Sequence, residues 1–226
     1  MSKIMITGAA SGLGALLSAE LTKQGHEVIE FNLEDGCDVR CPEESGMAFE
    51  SMDIDVLINC AGINRINWLR NVTDAEWDMV VDTNAKGIFK MTQAALPALT
   101  KSRGTVVNIV SNAAHMPMRC SAAYNASKGA ALILTKQLAR ELIGHGITVF
   151  SVSPNKLSGT GMSDDIDQQV VETRGWTLEE AQKYQCAGLL TGEETDPKQL
   201  AEFIAFLLRD KASHKMLAGC DLQYGL

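Results

Sequence analysis

The fold is decided near the N-terminus by the stretch Lys3-Ile-Met-Ile-Thr-Gly-Ala-Ala-Ser-Gly-Leu-Gly14. Its first part, Lys3–Thr7, is a short apolar run that predicts a buried strand. Three glycines follow, and then one face of a helix is marked by Leu13, Leu16, Leu17 and Leu21. Gly25 is the expected end of that helix. The stretch therefore predicts a strand joined to an amphipathic helix by a glycine-rich turn.

The rest of the chain repeats this alternation of strand and helix. Further strands are expected at Glu27–Phe31, Asp55–Asn59, Thr105–Val110, Ile147–Val152 and Met216–Leu222. Helices are expected at Thr73–Leu99 with a bend before Pro97, at Ala122–Leu142, and from Asp196-Pro197 to about Arg209. The segment from Asn32 to Asp53 has room for one small strand and a stub of helix around Pro42–Phe49.

Alternating apolar strands and helices predict a parallel sheet that is covered on both faces. We expect a doubly wound, Rossmann-like α/β fold with about seven strands and helices on both faces. No repeat or linker-like segment interrupts residues 1–226, so a single domain is expected. In such a fold, ligands bind beyond the carboxyl ends of the strands.

Composition and charge exclude several kinds of partner. The 226 residues are 46% hydrophobic and carry a formal net charge of −8, which disfavours nucleic acid as a partner. No apolar run approaches the ~20 residues that a membrane-spanning helix needs, and the N-terminus has no secretory signal pattern. The six cysteines and four histidines lack metal-ligand spacing. We expect a cytoplasmic protein with no metal site and no membrane partner.

The glycine-rich turn has the features of a phosphate-binding loop. Gly8 permits a sharp exit from the strand, Gly12 lets the backbone approach a pyrophosphate, and Gly14 lets the helix pack closely on the strand. The helix N-terminus directs amide groups at the phosphates. The loop lacks the Walker lysine and serine or threonine, which argues against an ATPase. A bound dinucleotide is the expectation, and a glycine-rich turn without a ligand is the alternative.

The second informative pattern is Tyr124-Asn-Ala-Ser-Lys128, in which the tyrosine and the lysine share one helix face. A free tyrosine titrates near pH ~10, and an ammonium group nearby should lower the pKa of Tyr124. Tyr124 would then be a usable general acid and base at neutral pH. Ser111 follows the preceding strand, where its hydroxyl can hydrogen-bond a carbonyl oxygen. Alone, the tyrosine–lysine pair would also fit an ordinary solvated helix face.

The motifs occur in a fixed order: the glycine loop, Asn59-Cys-Ala-Gly62, Asn84, Ser111 and Tyr124-x-x-x-Lys128. In this order the chain resembles the short-chain dehydrogenase/reductase family over essentially its whole length. The resemblance implies hydride transfer between NAD(P)(H) and a small carbonyl or secondary alcohol. Tyr124 would exchange the proton, Ser111 would orient the substrate oxygen, Lys128 would hold the ribose, and Asn84 would support a proton relay.

The resemblance also implies cofactor contacts and a lid. The candidate cofactor-binding residues are Gly8, Ser11, Gly12, Leu13, Gly14, Asn32, Asp38, Val39, Asn59, Ala61, Gly62, Tyr124, Lys128, Pro154, Leu157 and Thr160. A substrate lid is expected at about 156–195, where Thr177-Leu-Glu-Glu180 predicts a capped helix. Asn32 lacks the negative charge that would repel a 2′-phosphate, which slightly favours NADP over NAD. Glu34 and Asp35 would favour NAD if either points inward.

Two positions depart from the family pattern. Cys60 replaces an asparagine, with little harm expected because the backbone makes much of the cofactor contact there. Asn155 follows Pro154 where the family has glycine, and asparagine tolerates a positive φ better than most residues. The turn is therefore expected to survive.

Two other functions remain as alternatives. A non-catalytic sensor or scaffold of the same fold need not retain Ser111, Tyr124 and Lys128, and an epimerase would carry a larger C-terminal region. The family implies a homotetramer or dimer that forms through the helices at 73–99 and 122–142. The substrate is not identified by the sequence. Several cations could meet an anionic substrate or be ordinary surface residues: Arg65, His115, Arg119 and Arg174, with His115 and Met116 as candidate pocket walls.

Overall fold

The computed structural model describes residues 1–210 and 214–225 and contains a six-stranded sheet in the order β2-β1-β3-β4-β5-β6. All neighbouring strands pair in parallel. The strands are β1 (Lys3–Thr7), β2 (Glu27–Phe31), β3 (Val56–Asn59), β4 (Thr105–Ile109), β5 (Thr148–Pro154) and β6 (Asp221–Tyr224). The α-helices in the described residues are α1 (Gly12–Lys23), α2 (Asp74–Val81), α3 (Gly87–Ser102), α4 (Ala122–Leu142), α5 (Gly161–Arg174), α6 (Leu178–Cys186) and α7 (Pro197–Leu207). The predicted doubly wound α/β fold is confirmed.

Each face of the sheet is covered by a pair of helices. Ile4 and Met5 are neighbours on β1, and their side chains belong to different hydrophobic clusters because successive strand residues point to opposite faces. The cluster around Ile4 contains the apolar faces of α1 and α7, and the cluster around Met5 contains those of α3 and α4. Leu17 of α1 is fully buried, a burial that is worth about 1.5–3 kcal/mol for one such side chain.

Several boundaries agree with the sequence prediction. The predicted ranges of β1, β2 and α4 are those observed. Helix α1 ends at Lys23, and Gly25 follows with a φ of 86°. At the start of α7, Pro197 occupies the first turn and the Asp196 side chain accepts a hydrogen bond from the backbone N–H of Lys198. The apolar periodicity, capping residues and glycines that predict these boundaries lie within or beside the elements, and tertiary packing does not displace them.

The prediction of about seven strands was wrong by one. Between β2 and β3 the chain forms three 3₁₀ turns, Leu33–Asp35, Pro42–Ser45 and Phe49–Ser51, and no strand. Gly36 and Gly46 end the first two turns in left-handed conformations, which an extended strand cannot include. Strand β2 therefore lies at the edge of the sheet.

Two further predictions needed correction. The long helix expected at 73–99 is divided at a π-helical turn, Asp82–Lys86, and α3 continues through Pro97 without interruption. The last strand was expected from Met216, but Lys215–Leu217 forms a 3₁₀ turn and Gly219 adopts a φ of 74°. The extended backbone consequently starts only at Asp221.

The segment at about 156–195 contains α5 and α6, whose side chains form a small hydrophobic cluster with Ile66. The predicted capping box of Thr177 and Glu180 is confirmed at the start of α6. Lys156 is nearly buried at the base of this segment and forms ion pairs of 2.5 Å with Asp167 and 2.8 Å with Glu194. Among the described residues, no helix has the length and apolar composition needed to span a membrane.

Replacing Gly14 with alanine should destabilise the protein by about 2–3 kcal/mol. A Cβ at this position would lie 2.1 Å from the carbonyl oxygen of Gly8, so α1 would have to move away from the end of β1. Gly129→Ala is the matched control, because a Cβ on that residue of α4 meets nothing within 4 Å. The control should stabilise by roughly 0.5–1 kcal/mol through helix propensity. Urea unfolding of both variants measures the difference, and equal stabilities would contradict the close approach.

Candidate active site

The loops that follow β1 and β3 are held together through their backbones. The Thr7 hydroxyl accepts hydrogen bonds of 3.0 Å from the backbone N–H groups of Cys60 and Ala61. A Cβ on Gly8 would lie 2.9 Å from the Cα atom of Ala61, so the two loops are in direct contact. The Cys60 side chain takes no part in these bonds.

The glycine loop presents the N-terminus of α1 to the same end of the sheet. Ser11 makes no side-chain capping bond, whereas α2, α5, α6 and α7 each begin with a side chain that accepts a backbone N–H. Gly12 has a left-handed φ of 53°, and a Cβ on it would lie 3.9 Å from the Cβ atom of Thr160. The glycine loop therefore lies beside Thr160 at the base of α5, and the first amide groups of α1 have no side-chain cap from Ser11.

Tyr124, Lys128 and Ser111 come together at the carboxyl end of β4. The Lys128 Nζ atom donates a 2.9 Å hydrogen bond to the carbonyl oxygen of Ile109 and lies 5.8 Å from the centre of the Tyr124 ring. Burial lowers the pKa of Lys128 to about 8. Ser111 is buried and forms a side-chain hydrogen bond with Tyr124.

The expected lowering of the Tyr124 pKa is not found. Burial raises the pKa of Tyr124 above its ordinary value, and the hydrogen bond with Ser111 opposes this only in part. Lys128 does not offset this rise in the Tyr124 pKa. Burial also disfavours its ammonium form, and its Nζ atom donates to the Ile109 carbonyl. In this structure Tyr124 is therefore a protonated phenol at neutral pH.

Asn84 lies in the π-helical turn and is fully buried. Its Oδ1 atom accepts from the backbone N–H of Ile63 at 2.8 Å, and its Nδ2 atom donates to the Ile63 carbonyl at 2.8 Å and to the Ser127 hydroxyl at 3.0 Å. A Cβ on Gly62 would lie 3.3 Å from Asn84 Oδ1 and 3.6 Å from Lys128 Nζ. The Asn84 side chain thus fixes the loop after β3 beside the lysine.

Two residues within the Tyr124–Lys128 motif have positions that the sequence interpretation missed. Asn125 Nδ2 donates to the carbonyl oxygens of Ala113 at 2.6 Å and Met116 at 2.8 Å, which holds the loop that follows Ser111. Ser127 donates to the Tyr124 carbonyl at 2.8 Å and accepts from Asn84. Their polar character inside an otherwise apolar helix was the available signal.

At the end of β2, the candidate cofactor residues are surrounded by carboxylates. Asn32 is buried, and its Nδ2 atom donates to Asp35 at 3.1 Å and to Glu30 at 3.4 Å. Asp38 pairs with Arg40 at 2.5 Å, and this hydrogen-bonded ion pair lowers the pKa of Asp38. Because Arg40 pairs with Asp38, its positive charge is partly neutralised. The neighbouring candidate Val39 is buried against Gly87, the first residue of α3.

The remaining loop candidates are held by different contacts. The Asn59 side chain points into the sheet and donates to Asn108 Oδ1 at 2.8 Å, so only its backbone faces the loop. Leu157 forms an isolated parallel bridge with Thr195. Thr160 caps α5 by accepting from the backbone N–H of Ser163 at 3.2 Å.

Asn155 was expected to adopt a positive φ in the turn after Pro154, and it does not. It stabilises the turn through side-chain hydrogen bonds instead. Among the described residues, only Arg103 and Cys120 adopt a positive φ without being glycine. The buried Asn155 side chain accepts from the backbone N–H of Thr195 at 3.2 Å, and it donates to the carbonyl oxygens of Glu193 and Gly225. Asn155 therefore joins the end of β5 to the base of the lid segment, a role that the sequence did not reveal.

The four cations noted in the sequence have different environments. Arg65 donates to the Asn64 carbonyl, and His115 contacts Asp221 of β6 at 2.8 Å, so the histidine is directed at the sheet edge and not at a pocket wall. Arg119 and Arg174 come together at one surface cavity. Met116 approaches the lid segment, where a Cβ on Gly188 would lie 3.9 Å from its Cε atom. Among the described residues there is no group of three or more His, Cys, Asp or Glu side chains that could hold a metal ion.

Comparison with known proteins identifies the family. Residues 37–171 match the family described as short chain dehydrogenase. The chain belongs to this family. It is 31% identical to a 3-oxoacyl-[acyl-carrier-protein] reductase of Staphylococcus epidermidis, over 93% of this chain and 92% of the relative. It is 28% identical to a (3R)-3-hydroxyacyl-CoA dehydrogenase of Canis lupus familiaris, over 98% and 95% of the two chains.

Solved structures agree with this assignment. A crystal structure of actinorhodin polyketide ketoreductase with NADPH superposes with a TM-score of 0.85 and is 27% identical, covering 99% of this dehydrogenase and 96% of the ketoreductase. The short-chain dehydrogenase described here is therefore an NAD(P)-dependent oxidoreductase. No comparison favours a non-catalytic sensor of the same fold.

Replacing Lys128 with methionine should raise the free energy of unfolding at pH 7 by about 1–2 kcal/mol. The fall of the Lys128 pKa from 10.5 to about 8 corresponds to roughly 3 kcal/mol, and losing the hydrogen bond to Ile109 offsets about 1 kcal/mol of the gain. Between these two pKa values the unfolded chain binds more protons than the folded chain, so wild-type stability rises with pH. The gain from methionine should therefore be full at pH 7 and shrink as the pH approaches 10.

Urea unfolding at pH 7 and pH 9.5 measures this effect. Lys136→Met is the matched control, because Lys136 lies on the same helix but is exposed. The control should change stability little at either pH. A Lys128→Met protein that is less stable than the wild type at pH 7 would contradict the unfavourable burial of the ammonium group.

Proposed function

We propose that this oxidoreductase reduces a small carbonyl compound, with Tyr124 as the proton donor to the substrate oxygen. The observation that carries the proposal is the convergence of Tyr124, Ser111 and Lys128 at the carboxyl end of β4. The same edge of the sheet holds the glycine loop, where the N-terminus of α1 is available to an anion. The raised pKa of Tyr124 keeps the phenol protonated at neutral pH, as proton donation requires.

Each residue of the site has a defined part in this proposal. Tyr124 donates its proton to the carbonyl oxygen, and Ser111 orients that oxygen through its hydroxyl. Lys128 holds ribose hydroxyls and supplies positive charge that stabilises the phenolate left by proton transfer. Asn84 supports a proton relay toward Lys128 by fixing the loop after β3. When bound, NAD(P)H supplies the hydride that reduces the substrate carbon.

The cofactor is proposed to lie along the carboxyl edge of the sheet. The glycine loop with Ser11 and Leu13 would hold the pyrophosphate, and the absence of a side-chain cap on Ser11 supports this. The adenosine end would lie by Asn32, Asp38 and Val39. The nicotinamide end and its ribose would lie by the remaining candidates, Asn59, Ala61, Gly62, Tyr124, Lys128, Pro154, Leu157 and Thr160.

We propose NADP(H) as the preferred cofactor. Asn32 carries no charge that would repel a 2′-phosphate. The NADPH-containing ketoreductase structure is consistent with this choice. NAD(H) is the second candidate, because Asp35 and Glu30 both accept from Asn32 and would repel a phosphate.

The substrate and the assembly are inferred from the relatives. A 3-oxoacyl or 3-hydroxyacyl thioester is the first substrate to test, because the two relatives described above are named for those groups. We infer a single domain in which residues 156–195 act as a lid, in a cytoplasmic homotetramer or dimer. Exposed apolar side chains on α2, α3 and α4 support such an interface: Trp77, Phe89 and Ile133.

Tyr124→Phe should lower kcat at least about a hundredfold while NADPH still binds. The phenylalanine keeps the ring but lacks the hydroxyl that carries the proton. Turnover is measured by NADPH absorbance with a panel of ketones and a 3-oxoacyl thioester, and binding by fluorescence titration. Tyr184→Phe is the matched control, since Tyr184 lies in α6 and packs on Trp176. If Tyr124→Phe retains full turnover, Tyr124 is not the proton donor. If neither NADPH nor NADH binds the wild type, the proposal that the protein uses a nicotinamide cofactor is wrong.

Asn32→Asp should shift preference toward NADH by at least about tenfold in the ratio of the two dissociation constants. The new carboxylate would repel a 2′-phosphate but accept hydrogen bonds from a ribose diol. Asp35→Asn is the complementary variant and should shift the ratio toward NADPH. The measurement is fluorescence titration with both nucleotides. Unchanged ratios in both variants would place the adenosine ribose elsewhere.

A further inference from the structure

A cavity of about 450 Å³ lies where the lid segment meets two loops of the candidate active site. Its lining residues are Trp68, Arg70, Arg119, Thr173, Arg174 and Trp176. Three of the six are arginines and none is acidic. The lining of the cavity is therefore positively charged, although the chain as a whole has a net charge of −8. A cavity of this size is large enough for a small ligand group.

The segments around the cavity are fixed by hydrogen bonds. The backbone N–H of Asn67 donates to the Cys120 carbonyl at 2.7 Å. The Trp68 indole donates to the Thr173 carbonyl at 3.0 Å, and the Thr173 hydroxyl donates to the Ile66 carbonyl at 3.2 Å. The loop after β3, the loop before α4 and the end of α5 therefore form one rim. The three arginines therefore lie on segments that hydrogen bonds connect to one another.

Arg174 has an unusual environment for a charged side chain. Its guanidinium lies 4.6 Å from the centre of the Trp176 ring and 4.4 Å from that of Tyr184, which fixes the plane of the group. One nitrogen donates to the Arg119 carbonyl at 3.2 Å. The buried Nε and Nη1 atoms have no hydrogen-bond partner within residues 1–210 and 214–225. Buried donors of this kind are normally satisfied, so the N–H groups of these two nitrogens have unused capacity for an acceptor.

The three guanidinium groups also lack carboxylate partners. None of the ion pairs in the described part of the chain includes Arg70, Arg119 or Arg174. Like charges gathered at one cavity repel each other, and a bound anion would relieve that repulsion. Guanidinium groups match phosphate and carboxylate geometry because they offer paired N–H donors in one plane.

We propose that this cavity binds the phosphate or carboxylate group of an elongated substrate whose carbonyl is reduced at Tyr124. This inference rests on the proposed function for the reaction at the other end of the substrate. Arg119 is five residues before Tyr124, so at most about 18 Å of chain separates them. The anion site and the reacting carbonyl therefore lie within reach of one elongated substrate. The two tryptophans supply apolar walls for the carbon atoms beside the anion.

Direct binding tests the site without any turnover. Butyl phosphate, butyrate and 1-butanol are titrated into the protein with saturating NADP⁺, and intrinsic tryptophan fluorescence is followed because Trp68 and Trp176 line the cavity. We expect a saturable change with at least one of the anions and none with butanol. Arg119→Gln should weaken anion binding at least about tenfold, which corresponds to 1.4 kcal/mol. Arg140→Gln, an exposed position in the last turn of α4, removes the same charge elsewhere and should leave binding unchanged.

A matched pair of substrates tests the connection to the reaction. A methyl ketone with a terminal phosphate is compared with the same ketone bearing a terminal hydroxyl. The ratio of their kcat/KM values should favour the phosphate in the wild type, fall at least about tenfold in Arg119→Gln and stay unchanged in Arg140→Gln. Arg70→Gln should reduce the same ratio, since its side chain is exposed at the cavity and substitution there does not threaten folding.

The outcomes separate this inference from the proposed function. Anion binding that depends on Arg119, without turnover of either ketone, would retain the anion site and count against carbonyl reduction. Turnover of both ketones at equal kcat/KM, with no anion binding or with equal binding in Arg119→Gln, would overturn the anion site and leave the reductase intact. Binding of phosphate and not butyrate would identify a phosphorylated substrate, and the reverse would identify a carboxylate.

Discussion

The buried ammonium group of Lys128 is the constraint around which the site is arranged. It contacts the end of β4 through the Ile109 carbonyl, and the loop after β3 approaches it so closely that Gly62 has little space for a side chain. No ion pair with a carboxylate is formed by Lys128 in the described residues. A buried ammonium group without a carboxylate partner lowers the stability of the fold. Such a residue is retained where its positive charge serves the reaction, here beside Tyr124.

The surrounding polar side chains fix the backbone near this lysine. Asn84 bonds to both backbone groups of Ile63, and Asn125 holds the loop that carries Ser111. Asn155 does the same for the turn that follows β5. Three asparagines thus hold three loops at one edge of the sheet; Asn84 and Asn155 are buried and Asn125 is half-buried. Amide side chains suit this task because one group both donates and accepts without adding charge to a site that already contains a buried cation.

The sequence predicted those features that have a local cause. The glycine loop, the Tyr124–Lys128 spacing and the boundaries of α4 follow from residue types within a few positions of each other. The missing strand between β2 and β3 depended on how residues 32–55 divide into turns, and the π-helical turn at Asp82–Lys86 has no local sequence signal. The sequence named Arg119 and Arg174 as cations that could meet an anionic substrate, but it did not group them or include Arg70, for a third reason. Arg70, Arg119 and Arg174 are far apart in sequence, and only tertiary packing brings them together.

The direction of the Tyr124 pKa shift also depended on tertiary packing. Spacing alone placed a cation near the phenol and predicted a lower pKa, but burial acts on both groups and favours the uncharged form of each. The pair is therefore arranged as a proton donor beside a cation whose charge weakens above pH 8. Giving a proton to a carbonyl oxygen uses Tyr124 in the form that burial favours. Oxidising an alcohol needs the phenolate first, and the same burial makes that form more costly. The electrostatics of the site thus set the resting state of Tyr124, which is the protonated phenol at neutral pH.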